Sequence, residues 1–439
     1  MRMRSLLVAV AALLAHGAHA SPVLLISIDG LRPGDVFEAS QRGLKIPTLR
    51  RFVAQGSTAT GVFGVLPTVT YPSHTTLITG VSPAKHGVVS NTTFDPTAIN
   101  QQGWYWYASD IKVPTLWEAA HAKGLVTANV HWPVSVGAKG VDYNLPQIWH
   151  TGHPDDEKLV HALSTPGLLE SLEPKLGNYA RGIDDEMGGD ETRGRFAVQL
   201  ITDHKPDFAT VYLTALDTTQ HHFGPDTPEA HAVLEQIDTV VGKVIDAELA
   251  VHPDAIVAIV SDHGFSATTT EVNLFIPFIQ AGLISVDAKN NVTSWDAVPW
   301  LSGGSIAVVL KRPNDAALIQ KVSNLLASLK ADPNMHINTI LGHDEIVKRG
   351  GNPQARFYVG LNLDAMAGYK GISAAGPSSY KGMHGHLAEN PAMRSVFMIK
   401  GARIPSHYSL GEIDMRSIAP TLAKLMGTSL PDAEKPPLF

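Results

Sequence analysis

Three short runs of consecutive apolar residues stand out along the chain, and each run ends at an aspartate. VLLISI (residues 23–28) precedes Asp29, VYLTAL (211–216) precedes Asp217, and AIVAIVS (255–261) precedes Asp262. Continuous apolar runs of this length are typical of strands that are buried on both faces of a parallel sheet. The pattern predicts three core strands that each deliver an aspartate at the carboxyl end, where such sheets place their functional residues.

Helical patterns fall between these runs, and each is followed by glycine or a turn. They lie at residues 46–55, 114–123 and 228–248. Because strands and helices alternate, we predict an α/β fold with a mostly parallel central sheet and helices on both faces.

The alternation weakens between about Leu283 and Lys381. A predicted helix at 316–329 and a candidate hairpin around 356–363 indicate an insertion that covers the sheet. We therefore expect a single domain over residues 21–439 with an inserted region at about 283–381.

The first twenty residues predict an export signal rather than part of the fold. Arg2 and Arg4 precede the apolar run LLVAVAALLA, and Ala18 and Ala20 offer a cleavage site. This run is shorter than the ~20 residues that a membrane span requires, and no later segment is long and apolar enough. We expect a mature chain that begins at Ser21, has no transmembrane span and is periplasmic or secreted. An uncleaved signal anchor is the alternative.

Charge and cysteine content narrow the classes of partner. Without its leader the chain loses two arginines, so its formal charge moves from −7 to −9. Lys and Arg form no basic runs interleaved with aromatic residues, which argues against binding to a nucleic-acid polymer and favours small substrates. The sequence contains no cysteine, so histidine and carboxylate side chains must hold any metal ion.

Six carboxylate and imidazole side chains are candidate metal ligands. They are Asp29, Asp217, His221, Asp262, His263 and His384. Oxygen and imidazole nitrogen ligands without sulfur suit zinc, and less exclusively manganese, iron or cobalt. Each residue alone has an ordinary structural explanation, as a helix cap or a buried hydrogen-bonding group. Their positions at the ends of separate strands favour convergence on two cations, which could clamp both oxygens of a displacement at phosphorus.

Thr70 is a candidate nucleophile. It precedes Tyr71 and Pro72 at the predicted start of a helix, where free N–H groups and the helix dipole favour an anion such as a phosphoryl group. A threonine hydroxyl is a weak nucleophile unless a metal ion lowers its pKa. A helix N-cap is the alternative role for Thr70, and it is compatible with the first.

Five sequence blocks resemble the alkaline phosphatase superfamily and, within it, the nucleotide pyrophosphatase/phosphodiesterase family. The blocks are ISIDGLRP, PTVTYPSHTTLITGVSPAKHGVVSN, ALDTTQHHFG, SDHGF, and GMHGH followed by AMRSVFMIKGARI. They occur in the family's order and span nearly the whole mature chain. The resemblance implies an alkaline-phosphatase-like fold and hydrolysis of phosphodiester or phosphoanhydride bonds in a small nucleotide or related substrate.

The resemblance also divides the candidate ligands between two zinc ions. The first ion would be held by Asp217, His221 and His384, and the second by Asp29, Asp262, His263 and the nucleophile Thr70. Asn91 would donate a hydrogen bond to a non-bridging phosphoryl oxygen, and Tyr71 would stack on a nucleobase. The ordinary alternatives are a turn residue for Asn91 and a packing role for Tyr71.

At three positions the transfer of the family's site residues to this chain depends on how the motifs are aligned. His222 adjoins His221, and His386 lies two residues after His384, so the choice of ligand rests on spacing. Ser73 stands where the family often has asparagine, so the residues that hydrogen-bond to the metal ligands can differ from those of the family.

The leading hypothesis is thus a two-zinc phosphodiesterase or nucleotide pyrophosphatase that forms a covalent intermediate on Thr70. The alternatives are a phosphomonoesterase of the same superfamily and a metal-dependent binding protein without turnover. No motif-placed Lys or Arg is present to hold the extra charge of a phosphomonoester. The natural leaving group (nucleotide, dinucleotide or lipid head group) and the oligomeric state remain open.

Overall fold

A computed structural model describes residues 20–99, 103–148, 151–369 and 373–439. The predicted leader, apart from Ala20, lies outside the described residues. The strands are β1 (Val23–Ile28), β2 (Ser57–Phe63), β3 (Thr127–Val130), β4 (Tyr143–Leu145), β5 (Phe208–Leu213), β6 (Ile256–Val260), β7 (Ser266–Ala267), β8 (Thr270–Val272), β9 (Ile284–Val286), β10 (Val292–Trp295), β11 (Ala297–Ser302), β12 (Ser305–Leu310), β13 (Ile337–Gly342), β14 (Ala355–Leu361), β15 (Ala365–Ala367), β16 (Ala375–Pro377), β17 (Gly382–Met383), β18 (Phe397–Lys400) and β19 (Tyr408–Asp414).

The α-helices alternate with the strands of the first half of the chain and recur later. They are α1 (Pro33–Phe37), α2 (Pro47–Gln55), α3 (Thr70–Thr79), α4 (Pro83–His86), α5 (Leu116–Ala122), α6 (Asp156–Leu163), α7 (Leu168–Leu176), α8 (Met187–His204), α9 (Ala215–Phe223), α10 (Pro228–Val251), α11 (Phe275–Gln280), α12 (Ala316–Ala331), α13 (His343–Lys348) and α14 (Ile418–Leu425). Among the described residues, no helix is long and apolar enough to cross a membrane.

The central sheet has eight strands in the order β19-β2-β18-β6-β1-β5-β3-β4. Strand β1 pairs in parallel with β5 and β6, and β3 pairs in parallel with β4 and β5. Strand β18 runs antiparallel to both of its neighbours, β2 and β6. The prediction of an α/β fold built on a mostly parallel sheet is confirmed.

Both faces of the sheet are covered, which explains the continuous apolar runs. On β1, Leu24 and Ile26 belong to a core that also contains residues of α8 and α10. Val23 and Leu25 point to the opposite face and belong to a core shared with α3, α5 and α14. Because every side chain of such a strand is buried, charged residues are absent from β1, and its one polar residue, Ser27, is hydrogen-bonded to His74.

The run at 211–216 is not one strand, so the expectation for Asp217 is wrong in detail. Strand β5 ends at Leu213 and α9 begins at Ala215, which places Asp217 in the first turn of a helix. The helix starts early because Asp190 accepts hydrogen bonds from the N–H groups of Thr214 (2.9 Å) and Ala215 (3.1 Å). A carboxylate from elsewhere in the chain thus satisfies the free N–H groups of α9.

A second hydrophobic core lies beside the central sheet. It contains residues of the antiparallel sheet β11-β12-β14-β13 and of helices α11 and α12. The predicted helix at 316–329 is confirmed as α12. The hairpin expected around 356–363 is wrong: β14 is a single strand that pairs with both β12 and β13. The bounds of about 283–381 for an insertion stay a prediction.

Candidate metal and active site

The predicted site residues converge where strands of the central sheet end. Asp29 follows β1, Asp262 and His263 follow β6, Asp217 and His221 lie on α9, Thr70 begins α3, and His384 follows β17. Strands β6, β1 and β5 are adjacent and parallel, so their carboxyl ends lie at one edge of the sheet. Residues that are distant in sequence thereby become neighbours.

One group consists of Asp217, His221 and His384. His221 Nε2 lies 3.3 Å from Asp217 Oδ2, and His384 Nε2 lies 3.6 Å from Asp217 Oδ1. Asp217 and His221 are four residues apart on α9, so they share one face of the helix. The three residues offer ligand atoms that all lie within 4.8 Å of one another, close enough to share a metal ion.

A second group surrounds the imidazole of His263. Its Nε2 lies 3.2 Å from Asp29 Oδ1, 3.1 Å from Asp262 Oδ2 and 3.5 Å from Thr70 Oγ1. Asp29, Asp217 and His263 also offer ligand atoms within 4.8 Å of one another, so the two groups adjoin through Asp217.

The three site histidines have the same hydrogen-bonding pattern. Each Nδ1 faces a backbone carbonyl: His221 that of Gly382 (2.9 Å), His263 that of Gly264 (3.1 Å) and His384 that of Thr68 (3.2 Å). A carbonyl only accepts, so each Nδ1 carries the proton and donates it. The lone pairs of the three Nε2 atoms then face the site, as in histidines that bind metals.

The aspartates fit a cation equally well. Asp29 Oδ2 accepts from the Tyr212 hydroxyl, and Asp262 Oδ1 accepts from Gly30 N at 3.2 Å. Asp29 Oδ1, Asp217 Oδ1 and Asp262 Oδ2 are buried without a hydrogen-bond donor. Carboxylate oxygens and imidazole lone pairs at 3.1 to 3.6 Å repel one another unless positive charge lies between them. The donor set therefore fits a divalent metal ion.

The pKa shifts of the protein alone reflect the same need for positive charge. Burial and the nearby carboxylates of Asp262 and Asp217 raise the pKa of Asp29. Burial lowers the pKa of His263, but Asp262 and Asp217 outweigh it and raise the pKa above its usual value. Burial lowers the pKa of His384, whose ring is stacked on that of His263 with a centroid distance of 3.6 Å.

The two alternative histidines lie outside this cluster of ligand atoms. His222 is exposed at the edge of the cleft. His386 is buried, and its Nε2 faces the carbonyl oxygens of Asn362 (3.1 Å) and Ala365 (3.0 Å) instead. His386 therefore links its own loop to the backbone between β14 and β15.

Asn91 and Tyr71 lie next to Thr70. Asn91 Oδ1 accepts a hydrogen bond from Tyr71 N at 2.9 Å, so its NH₂ group is the donor that Asn91 offers to a ligand. Tyr71 lines the cleft, yet its side chain is only 1% exposed and packs against Trp104 at a centroid distance of 5.2 Å. Ser73 is fully buried on α3.

The cleft above these residues has a volume of about 760 Å³. It includes Asp29, Thr70, Asn91, Asp217, His221 and His384 in its lining. Two further acidic residues, Asp185 and Glu271, line it as well. The lining residues within the described ranges include no Lys or Arg. This volume suits a small molecule, and the chain's own charge in the cleft is negative.

Sequence reasoning missed two residues that support the site. Tyr212 donates to Asp29 from β5, where it is paired in register with Ser27 of β1. His74 is fully buried below Thr70, with Nδ1 2.8 Å from Thr70 O and Nε2 2.8 Å from Ser27 Oγ. The spacing of four residues between Thr70 and His74 was the available signal, because such residues share a helix face.

Comparisons with known proteins agree with this fold. Human ectonucleotide pyrophosphatase/phosphodiesterase family member 1 is 24% identical over 271 residues, which are 59% of this chain and only 25% of that protein. Human bis(5'-adenosyl)-triphosphatase ENPP4 is 23% identical over 418 residues, 92% of this chain and 78% of that protein. The structure of human ectonucleotide pyrophosphatase/phosphodiesterase 5 superposes with a TM-score of 0.67 at 18% identity, covering 93% of this chain and 95% of that chain.

The central sheet and its flanking helices thus form the alkaline-phosphatase-like fold of that structure. The sequence profile described as type I phosphodiesterase / nucleotide pyrophosphatase matches residues 23–362, which is more than half of the chain. These residues contain the nucleophile candidate and all the candidate ligands except His384. The chain therefore belongs to the type I phosphodiesterase/nucleotide pyrophosphatase family.

Proposed function

We propose that this chain is a two-zinc phosphodiesterase or nucleotide pyrophosphatase that works through a covalent intermediate on Thr70. The observation that carries the proposal is the convergence of three imidazole lone pairs and three unpartnered carboxylate oxygens beside a threonine hydroxyl. Such a set matches the ligands that zinc prefers in the absence of sulfur.

The proposed ligands divide into two sets. Asp217, His221 and His384 would hold one ion, and Asp29, Asp262, His263 and Thr70 would hold the other. When bound, the ions would supply positive charge that lowers the pKa of the Thr70 hydroxyl and offsets charge on the phosphoryl group. The backbone carbonyls behind the histidines keep each Nε2 directed at the site throughout.

Thr70 then acts as the nucleophile in a double displacement. Its hydroxyl proton leaves to solvent, Oγ1 forms a bond to phosphorus, and the bond to the leaving oxygen breaks. The leaving group departs as an alcohol or phosphate after taking a proton from water. In the second step water attacks the phosphothreonine diester, the bond between phosphorus and Oγ1 breaks, and Oγ1 regains a proton. The net reaction is hydrolysis of one phosphoester or phosphoanhydride bond.

Two neighbouring residues complete the proposal. The NH₂ group of Asn91, oriented by the hydrogen bond from Tyr71 N, would donate to a non-bridging phosphoryl oxygen. Tyr71 lines the same cleft and would offer its ring to a nucleobase, although only the small exposed fraction of the side chain is available for that contact.

The family favours a nucleotide substrate. ENPP4 is a bis(5'-adenosyl)-triphosphatase by name, and murine ectonucleotide pyrophosphatase/phosphodiesterase 5 has been solved with AMP as an inactive threonine-to-alanine variant. The phosphomonoesterase alternative needs a cation that the described lining residues lack. A binding protein without turnover has no use for a hydroxyl placed at 3.5 Å from a candidate ligand nitrogen.

The apolar leader and the predicted cleavage site support export to the periplasm or the extracellular space. N-terminal sequencing of the secreted protein would test this, with Ser21 expected as the first residue.

Metal analysis combined with a chromogenic assay tests the function. The purified protein should contain two zinc ions per chain and hydrolyse bis(p-nitrophenyl) phosphate. A strong chelator should abolish turnover, and added zinc should restore it. Full activity in protein shown to be free of metal would refute the two-zinc proposal, and stoichiometric zinc without turnover of any diester would support the binding protein instead.

A further inference from the structure

His74 lies directly beneath the nucleophile candidate and is fully buried on α3. Its Nδ1 lies 2.8 Å from the carbonyl oxygen of Thr70, and its Nε2 lies 2.8 Å from Ser27 Oγ on β1. Asp262 Oδ2 is farther away, at 3.6 Å from Nδ1. A carbonyl only accepts, so Nδ1 carries a proton and donates it to Thr70 O. The imidazole therefore connects the first residue of α3 to a strand of the central sheet.

The start of α3 lacks the side-chain cap that commonly holds a first helical turn. The residue before the helix, Val69, has no side-chain oxygen that accepts from the free N–H groups. Asn91 Oδ1 accepts from Tyr71 N at 2.9 Å and restrains one side of the turn. His74 restrains the other side, because it binds the carbonyl oxygen of Thr70 itself. Two side chains from within the site thus replace the missing cap.

The imidazole is itself held in one orientation. Its ring packs edge-on against the rings of Tyr212 and Trp132, with centroid distances of 4.4 and 4.9 Å. Trp132 Nε1 also donates to the carbonyl oxygen of His74 at 3.3 Å. Tyr212 donates to Asp29, a proposed metal ligand. A ring that is fixed by hydrogen bonds and by packing on two sides ties the position of Thr70 to that of the sheet and its ligands.

We propose that His74 is a positioning residue, which holds Thr70 Oγ1 beside the proposed metal ligands through its hydrogen bonds to Thr70 O and Ser27. The inference rests on the proposed nucleophilic role of Thr70. Thr70 Oγ1 lies 3.5 Å from His263 Nε2. Because a misplacement of ~1 Å can slow a displacement by about 10²-fold, a bond that fixes the backbone of the nucleophile affects the rate of attack rather than the binding of the substrate.

Three substitutions of His74 separate its hydrogen bonds from its volume. In His74→Asn the side-chain NH₂ group lies near the place of Nδ1 and can donate to Thr70 O. In His74→Gln the amide reaches the place of Nε2 and that donor is lost, and His74→Leu keeps much of the volume without polar atoms. We expect the single-turnover rate with bis(p-nitrophenyl) phosphate at saturating enzyme to fall by about 10²-fold in His74→Gln and His74→Leu, but by less than about tenfold in His74→Asn.

A split between rate and binding is the readout that a purely structural role does not produce. The enzyme concentration that gives half the maximum rate should change by less than about threefold, and zinc content should stay at the wild-type value. Ser27→Ala, which removes the partner of Nε2, should lower the rate by about fivefold.

His86→Asn is the matched control for loss of a buried imidazole. His86 is fully buried on α4, its Nε2 lies 3.1 Å from Thr76 Oγ1, and its Nδ1 accepts from Val88 N at 3.2 Å. This variant should lose unfolding free energy and keep the single-turnover rate. A loss of rate as large as that of His74→Leu would overturn the inference, because any buried histidine would then have the same effect.

Hydrogen exchange separates the inference from the proposed function. Deuterium uptake by the first turn of α3 (residues 70–73) should rise in His74→Gln and His74→Leu and stay near the wild-type value in His74→Asn, with or without turnover. This ranking in a protein that hydrolyses no diester would support the hold on Thr70 and reject the phosphodiesterase function. Wild-type turnover with equal rates in all three variants would overturn the positioning role and leave the function standing. If these variants do not fold, an unchanged rate in Ser27→Ala would overturn it.

Discussion

The charge of the cleft predicts a strong preference for diesters over monoesters. The positive charge of two zinc ions is formally balanced by the three aspartates among the proposed ligands and by the Thr70 alkoxide. A phosphodiester brings one negative charge, whereas a phosphomonoester at pH 8 brings two. Asp185 and Glu271 add negative charge to the cleft, and its described lining contains no Lys or Arg to offset the second charge.

The size of the effect follows from Coulomb's law. If the second charge of the phosphoryl group lies roughly 8 Å from a carboxylate and the effective dielectric constant is about 20, that pair of like charges costs ~2 kcal/mol. Burial raises the pKa of Asp185 to about 6, so this carboxyl is still ionised at pH 8. Repulsion from Asp185 and Glu271 together exceeds the ~2.7 kcal/mol that corresponds to a hundredfold difference in rate. We therefore expect kcat/KM for the diester to be at least about a hundredfold higher.

Bis(p-nitrophenyl) phosphate and p-nitrophenyl phosphate share a leaving group. The ratio of their kcat/KM values therefore reports the effect of the monoester's second negative charge. Asp185→Asn should lower the ratio by about thirtyfold, which corresponds to the ~2 kcal/mol of one pair of like charges. Glu186→Gln, at an exposed neighbour that does not line the cleft, should leave the ratio unchanged. Equal rates or a preference for the monoester would refute the argument and favour the phosphomonoesterase alternative. Equal effects of the two substitutions would show that the cleft's carboxylates do not cause the preference.

Five further substitutions, of which Thr75→Ala and His386→Ala are the comparisons, test individual assignments. Thr70→Ala should abolish turnover but keep zinc, because six of seven proposed ligands remain. Thr75→Ala, on the same helix, should stay active. A covalent adduct trapped on another residue would contradict the role of Thr70 as nucleophile. His384→Ala should lose zinc and several orders of magnitude in rate. His386→Ala should keep zinc and lose about 1–3 kcal/mol of unfolding free energy in denaturant titrations, since it removes a buried imidazole that is hydrogen-bonded to two carbonyl oxygens and leaves a cavity. The reverse ranking would mean that the ligand was wrongly chosen. Asn91→Ala should lower kcat by about 10²–10³-fold, and a change confined to KM would limit Asn91 to substrate positioning.

The sequence predicted the central sheet well because burial on both faces leaves a simple signal. Each face of β1 packs against helices, so all its positions except Ser27 are apolar, and the first charged residue, Asp29, marks the edge of the sheet. The same reasoning placed Asp262 near the end of β6. It failed at Asp217, because the end of β5 depends on Asp190, a carboxylate from α8 that caps the next helix. Such a contact between distant residues leaves no periodic pattern in the local sequence.

The surroundings of the site were harder to predict than its ligands. Asp185 has no spacing relation to the other site residues, and its place in the cleft follows only from the packing of the chain before α8. The strand β14 was mistaken for part of a hairpin. Its partners β12 and β13 are both antiparallel to it, and their pairing depends on the whole four-stranded sheet.

The GMHGH motif shows how the second core takes part in the site. Gly385 has φ +85°, and a Cβ atom there would lie 2.1 Å from Ser302 O, so only glycine fits between the two histidines. His384 on one side contacts Thr68 O and faces the proposed ligands, while His386 on the other side contacts carbonyls near β14 and β15. Ser305 Oγ donates to Gly385 O at 2.6 Å from β12. The packing of the sheet β11-β12-β14-β13 therefore fixes the position of a proposed zinc ligand.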